Sequence, residues 1–311
     1  MRILFWGTPE FATPALRAIV GEGYDVVGVV TQPDRAQGRS RSQLVASPVK
    51  AVAVEESIPV LQPDQPRGDA FVQALGALAP DLSIVAAYGH ILVPAVIALP
   101  TFGTWNIHAS LLPRWRGAAP IQAAILAGDT ETGVSIMRMV SKLDAGPVLL
   151  QAPTPIAPDE TGGELIERLG ELGALAIIEA LTLQSLGGGV TELAQDESRV
   201  TYASKIERES ARLDFTRPAL SVARAVRAFD PRPGAWSTLH GEMAKLSGAT
   251  LLDDGGGAPG QVLQIDEHGA LVCCGHGSVR IGYIQLAGKR RMAALDLAQG
   301  RGIAVGDVFT G

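Results

Sequence analysis

Cysteine is almost missing from this chain. The two it has, Cys273 and Cys274, are adjacent, a spacing that suits neither a disulfide framework nor a metal site. No apolar run reaches the roughly 18 to 20 residues that a membrane span needs. Met1–Phe5 passes straight into a strand-like run, without the basic segment that opens a secretory leader. Aromatic residues are few at 5% and charged residues make up 19%, yet hydrophobic residues reach 47%. A chain so composed buries a sizeable core and is not disordered. At 311 residues two ordinary domains are expected. The expectation is a soluble, cytoplasmic monomer with no membrane association.

Strong positive charge is absent too. The formal net charge is −6, which excludes a strongly basic nucleic-acid binder. The acidity is uneven, however. Residues 1–205 carry 14 basic and 21 acidic side chains, whereas residues 206–311 carry 12 and 11. Within the acidic part, Arg35, Arg39, Arg41 and Lys50 face only Asp34. A local surface that tracks phosphate stays open.

What is there is alternation. Arg2–Trp6 is a short apolar run ending in Gly7-Thr8-Pro9. Phe11, Ala15, Leu16, Ile19 and Val20 then recur at helical spacing. Asp25–Thr31 is a nearly continuous β-branched run, as a strand buried on both faces should be. Further strands are expected at Leu82–Ala87, Thr104–Ala109, Val134–Met139 and Val148–Ala152. Helices are expected near 44–56, 68–79, 91–99 and 118–127, and a long one near 161–185. This pattern predicts an α/β domain over 1–186 with a Rossmann-like, doubly wound, mainly parallel sheet. Gly187-Gly188-Gly189 opens a polar stretch read as a linker over 187–205. After a helix near 218–229, short β-prone runs broken by Gly and Asp predict a small antiparallel barrel or sandwich within 206–311.

The segment richest in chemistry is Thr104-Trp105-Asn106-Ile107-His108-Ala109-Ser110. In a strand, Trp105, Ile107 and Ala109 share one face, and Asn106, His108 and Ser110 share the other. An amide beside an imidazole in an apolar core costs desolvation unless both find partners. In an open α/β sheet, ligands bind beyond the carboxyl ends of the strands. A lone histidine near a strand end is most often a satisfied core residue; Asn106 beside it argues for more. Downstream, Leu143-Asp144-Ala145-Gly146 puts a carboxylate in a glycine-flanked loop, by itself an ordinary solvated turn. No His/Cys/Asp spacing near these residues suggests a metal, and Gly7-Thr8-Pro9 is not the GxGxxG of a nicotinamide site.

The run NIHASLLPRWRGAAPIQAAILAGD, from Asn106 on, and the later MVSKLDAGPVL resemble two signature blocks of the formyltransferase family that uses 10-formyltetrahydrofolate. Ala87-Tyr88-Gly89-His90-Ile91-Leu92 resembles the segment lining that family's pteridine pocket. Gly7-Thr8-Pro9-Glu10-Phe11, Thr31-Gln32-Pro33-Asp34-Arg35 and Ser47-Pro48-Val49-Lys50 resemble the branch whose acceptor is initiator methionyl-tRNA. So do Thr201-Tyr202-Ala203, with its following Lys205, and Ala287-Gly288-Lys289. The resemblance implies that Asn106, His108 and Asp144 take the catalytic places. It implies that Ala87, Tyr88, Gly89, Ile91, Ser110, Leu111, Leu112 and Pro113 line the folate site. It makes the second domain an OB-like barrel that holds the acceptor arm. The chemistry suits these residue types: an amide donates to a developing oxyanion, imidazole moves protons near neutral pH, and a carboxylate orients the imidazole.

For RNA, Arg35, Arg39 and Arg41 keep the loop after Thr31 basic; by composition alone it reads equally as solvated. By resemblance this loop enters the acceptor end. Its Arg-Ser-Arg-Ser stands where relatives often carry more lysine. Pro147 likewise replaces an acidic residue common in relatives. Arg217, Arg224 and Arg227 fall on one helical face, and Lys289-Arg290-Arg291 adds another cluster; such stripes are usually plain solvated surface. The tRNA contacts expected are Arg35, Arg39, Arg41, Lys205, Arg217, Arg224 and Lys289. Two other readings compete. One is a formyl-handling enzyme with glycinamide ribonucleotide, a nucleotide sugar or water as acceptor. The other is a catalytically silent folate- or tRNA-binding protein.

Overall fold

The computed structural model describes residues 1–37, 43–186, 189–252 and 256–310. Two compact units emerge. The first comprises Met1–Pro120, Glu131–Pro155 and Ile166–Ala203; the second comprises Ile121–Thr130, Ile156–Leu165 and Ser204–Gly311.

The first unit begins with β1 (Arg2–Gly7), α1 (Thr13–Gly21) and β2 (Asp25–Val30). A short ribbon of β3 (Arg35–Gln37) and β4 (Gln43–Val45) leads to α2 (Pro48–Glu55) and β5 (Val60–Leu61). Next come α3 (Asp69–Ala77), β6 (Leu82–Ala86), α4 (Pro94–Ile97), β7 (Thr104–His108) and the two-residue β8 (Arg116–Gly117). Beyond α5 (Pro120–Ala127), which from Ile121 on belongs to the second unit, lie β9 (Glu131–Arg138), β10 (Val148–Pro155), α6 (Gly162–Ser185), of the first unit from Ile166 on, and β11 (Tyr202–Ala203). The main sheet runs β10-β9-β7-β6-β1-β2-β5. From β7 to the edge strand β5 it is parallel. β9 pairs antiparallel with β7, and β10 antiparallel with β9.

The chain moves outward from β1 through β2 to β5, then returns to the other side of β1 to lay down β6 and β7. Strand order therefore reverses beside β1, and sheets of this kind take their ligands at such a point, beyond the carboxyl ends of the strands, here β1, β6 and β7. Ile3, Leu4, Phe5 and Trp6 are all buried, which is why β1 reads as a continuous apolar run. Ser47 caps α2 by accepting from the Lys50 backbone N–H at 3.1 Å, and Pro48 fits its first turn. The helix expected near 91–99 is only the single turn α4. Pro94 opens it, and Pro100 cannot continue it because its ring blocks the carbonyl one turn back. On the apolar side of β7, Gly173 of α6 lets the helix close in: a Cβ there would stand 2.9 Å from Ile107 Cγ2.

In the second unit, α7 (Ala219–Phe229) precedes β12 (Trp236–Leu239), β13 (Glu242–Leu252), β14 (Val262–Asp266), β15 (Gly269–Cys273), β16 (Ser278–Leu286), β17 (Met292–Ala293) and α8 (Ala294–Gln299). The sheet is antiparallel, ordered β12-β13-β16-β15-β14, with β17 beside β16. Its two edges meet through residues 308–310. Val308 bridges Gln261 and Thr310 bridges Thr238, which closes the sheet into a small barrel. Inside lie Leu239, Leu246, Val262, Val272, Val279, Ile281 and Phe309, with Val222, Val226 and Phe229 of α7 against them.

Candidate active site

β7 carries the alternation expected of it. Trp105 and Ile107 are buried; Asn106 is half-buried, and its amide has no hydrogen-bond partner among the described residues. His108 and Ser110 follow at the carboxyl end. The turn after β7 is clamped by Ser135 of β9. Its hydroxyl donates to the Ser110 carbonyl at 2.7 Å and accepts from the Leu112 N–H at 3.0 Å. Gln151 of β10 donates to the Leu112 carbonyl at 2.8 Å and to Ser135 Oγ at 3.0 Å. Ser110 Oγ donates to the Arg114 carbonyl at 2.6 Å. Leu112 is buried beside Met137 and Val148, and the following Leu112–Pro113 peptide is cis.

The fold brings Asp144 to His108, a pair far apart in sequence. His108 Nδ1 lies 3.8 Å from Asp144 Oδ2, and the side chains are only 6% and 11% exposed. The same carboxylate oxygen accepts from the Gly117 N–H at 2.8 Å. On the other edge of the ring, His108 Nε2 meets the Trp115 carbonyl at 3.0 Å. A carbonyl only accepts, so Nε2 carries the hydrogen there. In the neutral ring the lone pair is then on Nδ1, the nitrogen beside Asp144. Asp144 and Trp115 both adopt positive φ, at 47° and 60°; non-glycine residues keep such backbone only when their surroundings dictate it.

The loop after β6 leaves the sheet next to the one after β7. Ala87 and Gly89 have φ of 47° and 91° and are exposed, and Ile91 is 84% exposed. Tyr88 differs from its neighbours. Its ring is buried against Trp6 at 5.3 Å between centroids, and burial pushes its phenol up to about 12. Its carbonyl accepts from Thr8 Oγ1 at 2.9 Å and Gln32 Nε2 at 3.0 Å. Tyr88 thus anchors the loop, and Ala87, Gly89 and Ile91 face outward. Leu111 and Pro113 are half-buried at the opposite lip.

The expected RNA contacts are less gathered. Arg35 is exposed in β3 and its guanidinium donates to Gln32 Oε1. Nearby, Lys50 and Asp34 pair at 2.7 Å, and Gln62 donates to Asp34 at 2.7 Å. The Lys50 bond, then the Gln62 bond, hold Asp34 below the usual carboxylate range. Arg39 and Arg41 lie outside the described residues. In the second unit Lys205, Arg217 and Lys289 are exposed. Arg224 is partly spent inside the protein: it donates to the Ala127 carbonyl at 3.4 Å. Arg227 donates to the carbonyls of Ala157 and Glu160 at 3.2 and 3.1 Å.

Three features escape a local reading of the sequence. Ser135 and Gln151 clamp the turn, and the chain around Gln195 and Thr201 reaches the site from the stretch read as a linker. Arg116, which looks like one more surface arginine, is fully buried. Neither cysteine offers a nucleophile: both are buried, and burial pushes Cys274 up to about 12. Among the described residues no three His, Cys, Asp or Glu side chains cluster as metal ligands, and no helix is long and apolar enough to cross a membrane.

Fold and site define a class: a Rossmann-like α/β enzyme with an amide, an imidazole and a carboxylate at its strand ends, joined to a small β-barrel. Comparison with known proteins narrows it. Residues 1–181 match the formyl transferase family, and residues 205–302 match the formyl transferase C-terminal domain. The chain belongs to the formyl transferase family. It is 50% identical over 304 residues to the methionyl-tRNA formyltransferase of Stenotrophomonas maltophilia (strain K279a), covering 97% of this chain and 98% of that one. The methionyl-tRNA formyltransferase of Pseudomonas fluorescens (strain SBW25) is 49% identical over 302 residues, covering 97% and 94%. Among solved structures, HypX from Aquifex aeolicus in complex with tetrahydrofolic acid superposes with a TM-score of 0.68 at 21% identity. That likeness takes in 98% of this chain, which spans about half the other's length at 48%. Methionyl-tRNA formyltransferase from Clostridium thermocellum gives a TM-score of 0.56 at 13% identity, over 81% and 93%. At these identities the structures speak for the fold alone.

Proposed function

We propose that this chain transfers the formyl group of 10-formyltetrahydrofolate to the α-amino group of initiator methionyl-tRNA, giving N-formylmethionyl-tRNA for translation initiation. Identity near one half to methionyl-tRNA formyltransferases, along almost the whole of both chains, supports the acceptor. The observation that carries the chemistry is the shielded His108–Asp144 pair, with the Asn106 amide, unpartnered among the described residues, two residues back on the same strand face.

The roles follow from the atoms. His108 Nε2–H is held by the Trp115 carbonyl, so Nδ1 takes the proton that the acceptor amine loses on attack. The ring is then cationic, with Asp144 3.8 Å away to face that charge. His108 can return the proton to the departing folate nitrogen, which closes the balance. Asn106 donates to the formyl oxygen as it gains negative charge, a contribution of roughly 10²- to 10³-fold for one such donor. Formyl passes from nitrogen to nitrogen directly, since the buried thiols cannot hold it. For the donor, Ala87, Gly89 and Ile91 form one lip and Ser110, Leu111, Leu112 and Pro113 the other. These offer backbone groups and apolar walls, as a flat heterocycle needs. Tyr88 fixes the first lip.

Residues 1–186 carry the transfer and 206–311 hold the acceptor arm, with 187–205 between them. Arg35, Arg39, Arg41, Lys205, Arg217 and Lys289 are its RNA contacts, and Arg224 joins with whatever its bond to Ala127 leaves free. Arginines there pair with phosphate and stack on unpaired bases. We read the protein as a cytoplasmic monomer, because its substrates are soluble and one chain supplies every side chain used above. The test offers 10-formyltetrahydrofolate with methionyl-tRNA or glycinamide ribonucleotide and follows formyl transfer to each. Turnover with methionyl-tRNA alone is expected. Turnover with glycinamide ribonucleotide and none with methionyl-tRNA would overturn the reading.

A further inference from the structure

The stretch 193–203 is bound to the candidate site at several points. Gln195 uses its whole amide: Nε2 donates to the carbonyls of Asp144 and Gly146 at 2.8 and 2.7 Å, and Oε1 accepts from Arg116 Nε and Nη2 at 3.0 and 2.8 Å. Glu197 joins the same guanidinium at 2.7 Å to Lys142, two residues before Asp144, at 2.8 Å. Thr201 accepts the Trp115 N–H on its hydroxyl at 2.9 Å and the Arg116 N–H on its carbonyl at 2.9 Å. Trp115 is the residue whose carbonyl holds His108 Nε2–H. Finally β11 pairs in parallel with β8, Ala203 opposite Gly117, the residue whose N–H donates to the Asp144 carboxylate. Gly117 has φ 119°, and a Cβ on it would stand 2.5 Å from the Ala203 carbonyl oxygen.

A plain connector would need none of this. Burying a guanidinium is costly unless its donors are matched. Arg116 is nonetheless fully buried, with Nη1 left without a partner among the described residues. The bonds Arg116 does make all lead to the strap, and through it to the two residues that hold the reacting side chains.

We propose that residues 195–203 form a strap in which Gln195 and Thr201 are positioning residues: Gln195 sets the loop of Asp144, and Thr201 sets the Trp115 carbonyl that fixes the tautomer and plane of His108. The inference rests on the roles given above to His108 and Asp144. The strap would act on the rate of transfer and leave donor and acceptor binding nearly alone, because it meets the folate lips through a backbone bond, from the Thr201 N–H to the Pro113 carbonyl at 3.4 Å, that neither Gln195→Ala nor Thr201→Val removes. Misplacing a reacting group by about an ångström can cost on the order of 10²-fold in rate.

The experiment uses the full chain and measures single-turnover formyl transfer, the KM for methionyl-tRNA, the Kd for folate and thermal unfolding. Gln195→Ala should lower the rate roughly 10- to 100-fold, with KM and Kd within about threefold. In an Asp144→Ala background, Gln195→Ala should cost roughly threefold or less, since a positioning residue has nothing left to position. Thr201→Val should lower the rate, and Thr201→Ser, which keeps the hydroxyl, should restore it. If Gln195→Ala does not fold, the Thr201 pair decides. An unchanged rate in folded Gln195→Ala, or an equal fractional loss with and without Asp144, would sink the strap and leave the catalytic reading intact. Should Asp144→Ala itself turn over normally, it is the catalytic reading that fails.

Discussion

The two units treat buried polarity in opposite ways. Among the described residues, the polar side chains buried in the second unit are Ser237, Ser247 and Ser278. The first unit buries a histidine, an arginine and a glutamine besides its serines and threonines, and His108, Ser110, Arg116 and Ser135 gather at or beyond the carboxyl end of β7. Each such group costs stability unless it is matched. The barrel keeps a core that only has to fill space. The α/β unit accepts the cost at one sheet end, the end to which the proposed reaction is assigned.

Substitutions can break this contrast or sharpen it. The largest effects belong at the polar strand end. His108→Ala or Asp144→Ala should slow transfer on the order of 10²- to 10⁴-fold and leave folate binding within about tenfold. Single-turnover kinetics and calorimetry check both halves, and near-normal turnover would remove these residues from the reaction. A smaller, divided effect is expected from two arginines of the barrel unit. Arg217→Ala should raise the KM for methionyl-tRNA severalfold and flatten its dependence on salt, with the unfolding temperature unchanged. Arg224→Ala, which abandons the Ala127 carbonyl, should instead cost roughly 1 kcal/mol of stability. If both behave alike, the division between an exposed arginine and one bonded to a carbonyl is wrong.

The smallest effect concerns acid. Glu197 is held down at about 2, first by Arg116 and then by Lys142, against an ordinary value of 4.5. A carboxylate with a lowered folded value contributes stability that is complete above its unfolded value and lost as pH falls towards the folded one. Between about pH 4.5 and 2, then, acid should loosen the strap. Glu197→Gln should make unfolding less dependent on pH across that window, and an unaltered pH slope would show that the exposed carboxylate adds nothing.

Much of this was legible from the residues. The doubly wound alternation reads directly because strands buried on both faces are continuous in β-branched residues, as Asp25–Val30 is. The polar face of β7 reads because a strand repeats every two residues. Asp144 reads only as a turn until a family resemblance supplies its partner, for the contact joins loops from different strands. Gln195 and Thr201 stay hidden for the same reason, in a stretch whose polarity suggests a tether. Arg116 misleads because burial of a charge is decided by neighbours and not by the residue type. Closure of the barrel by Val308 and Thr310 is equally silent, since two isolated bridges leave no periodicity to find.

The chain visits its second unit three times, at 121–130, 156–165 and from 204 onwards. Arg224 and Arg227 are bonded to carbonyls contributed by the two earlier visits. A scissor cut near residue 205 therefore would not yield two complete halves. The excised barrel would lack pieces made much earlier on the ribosome, and those pieces would dangle from the other fragment. Anyone wishing to transplant this unit onto another enzyme must carry three stretches of chain, not one.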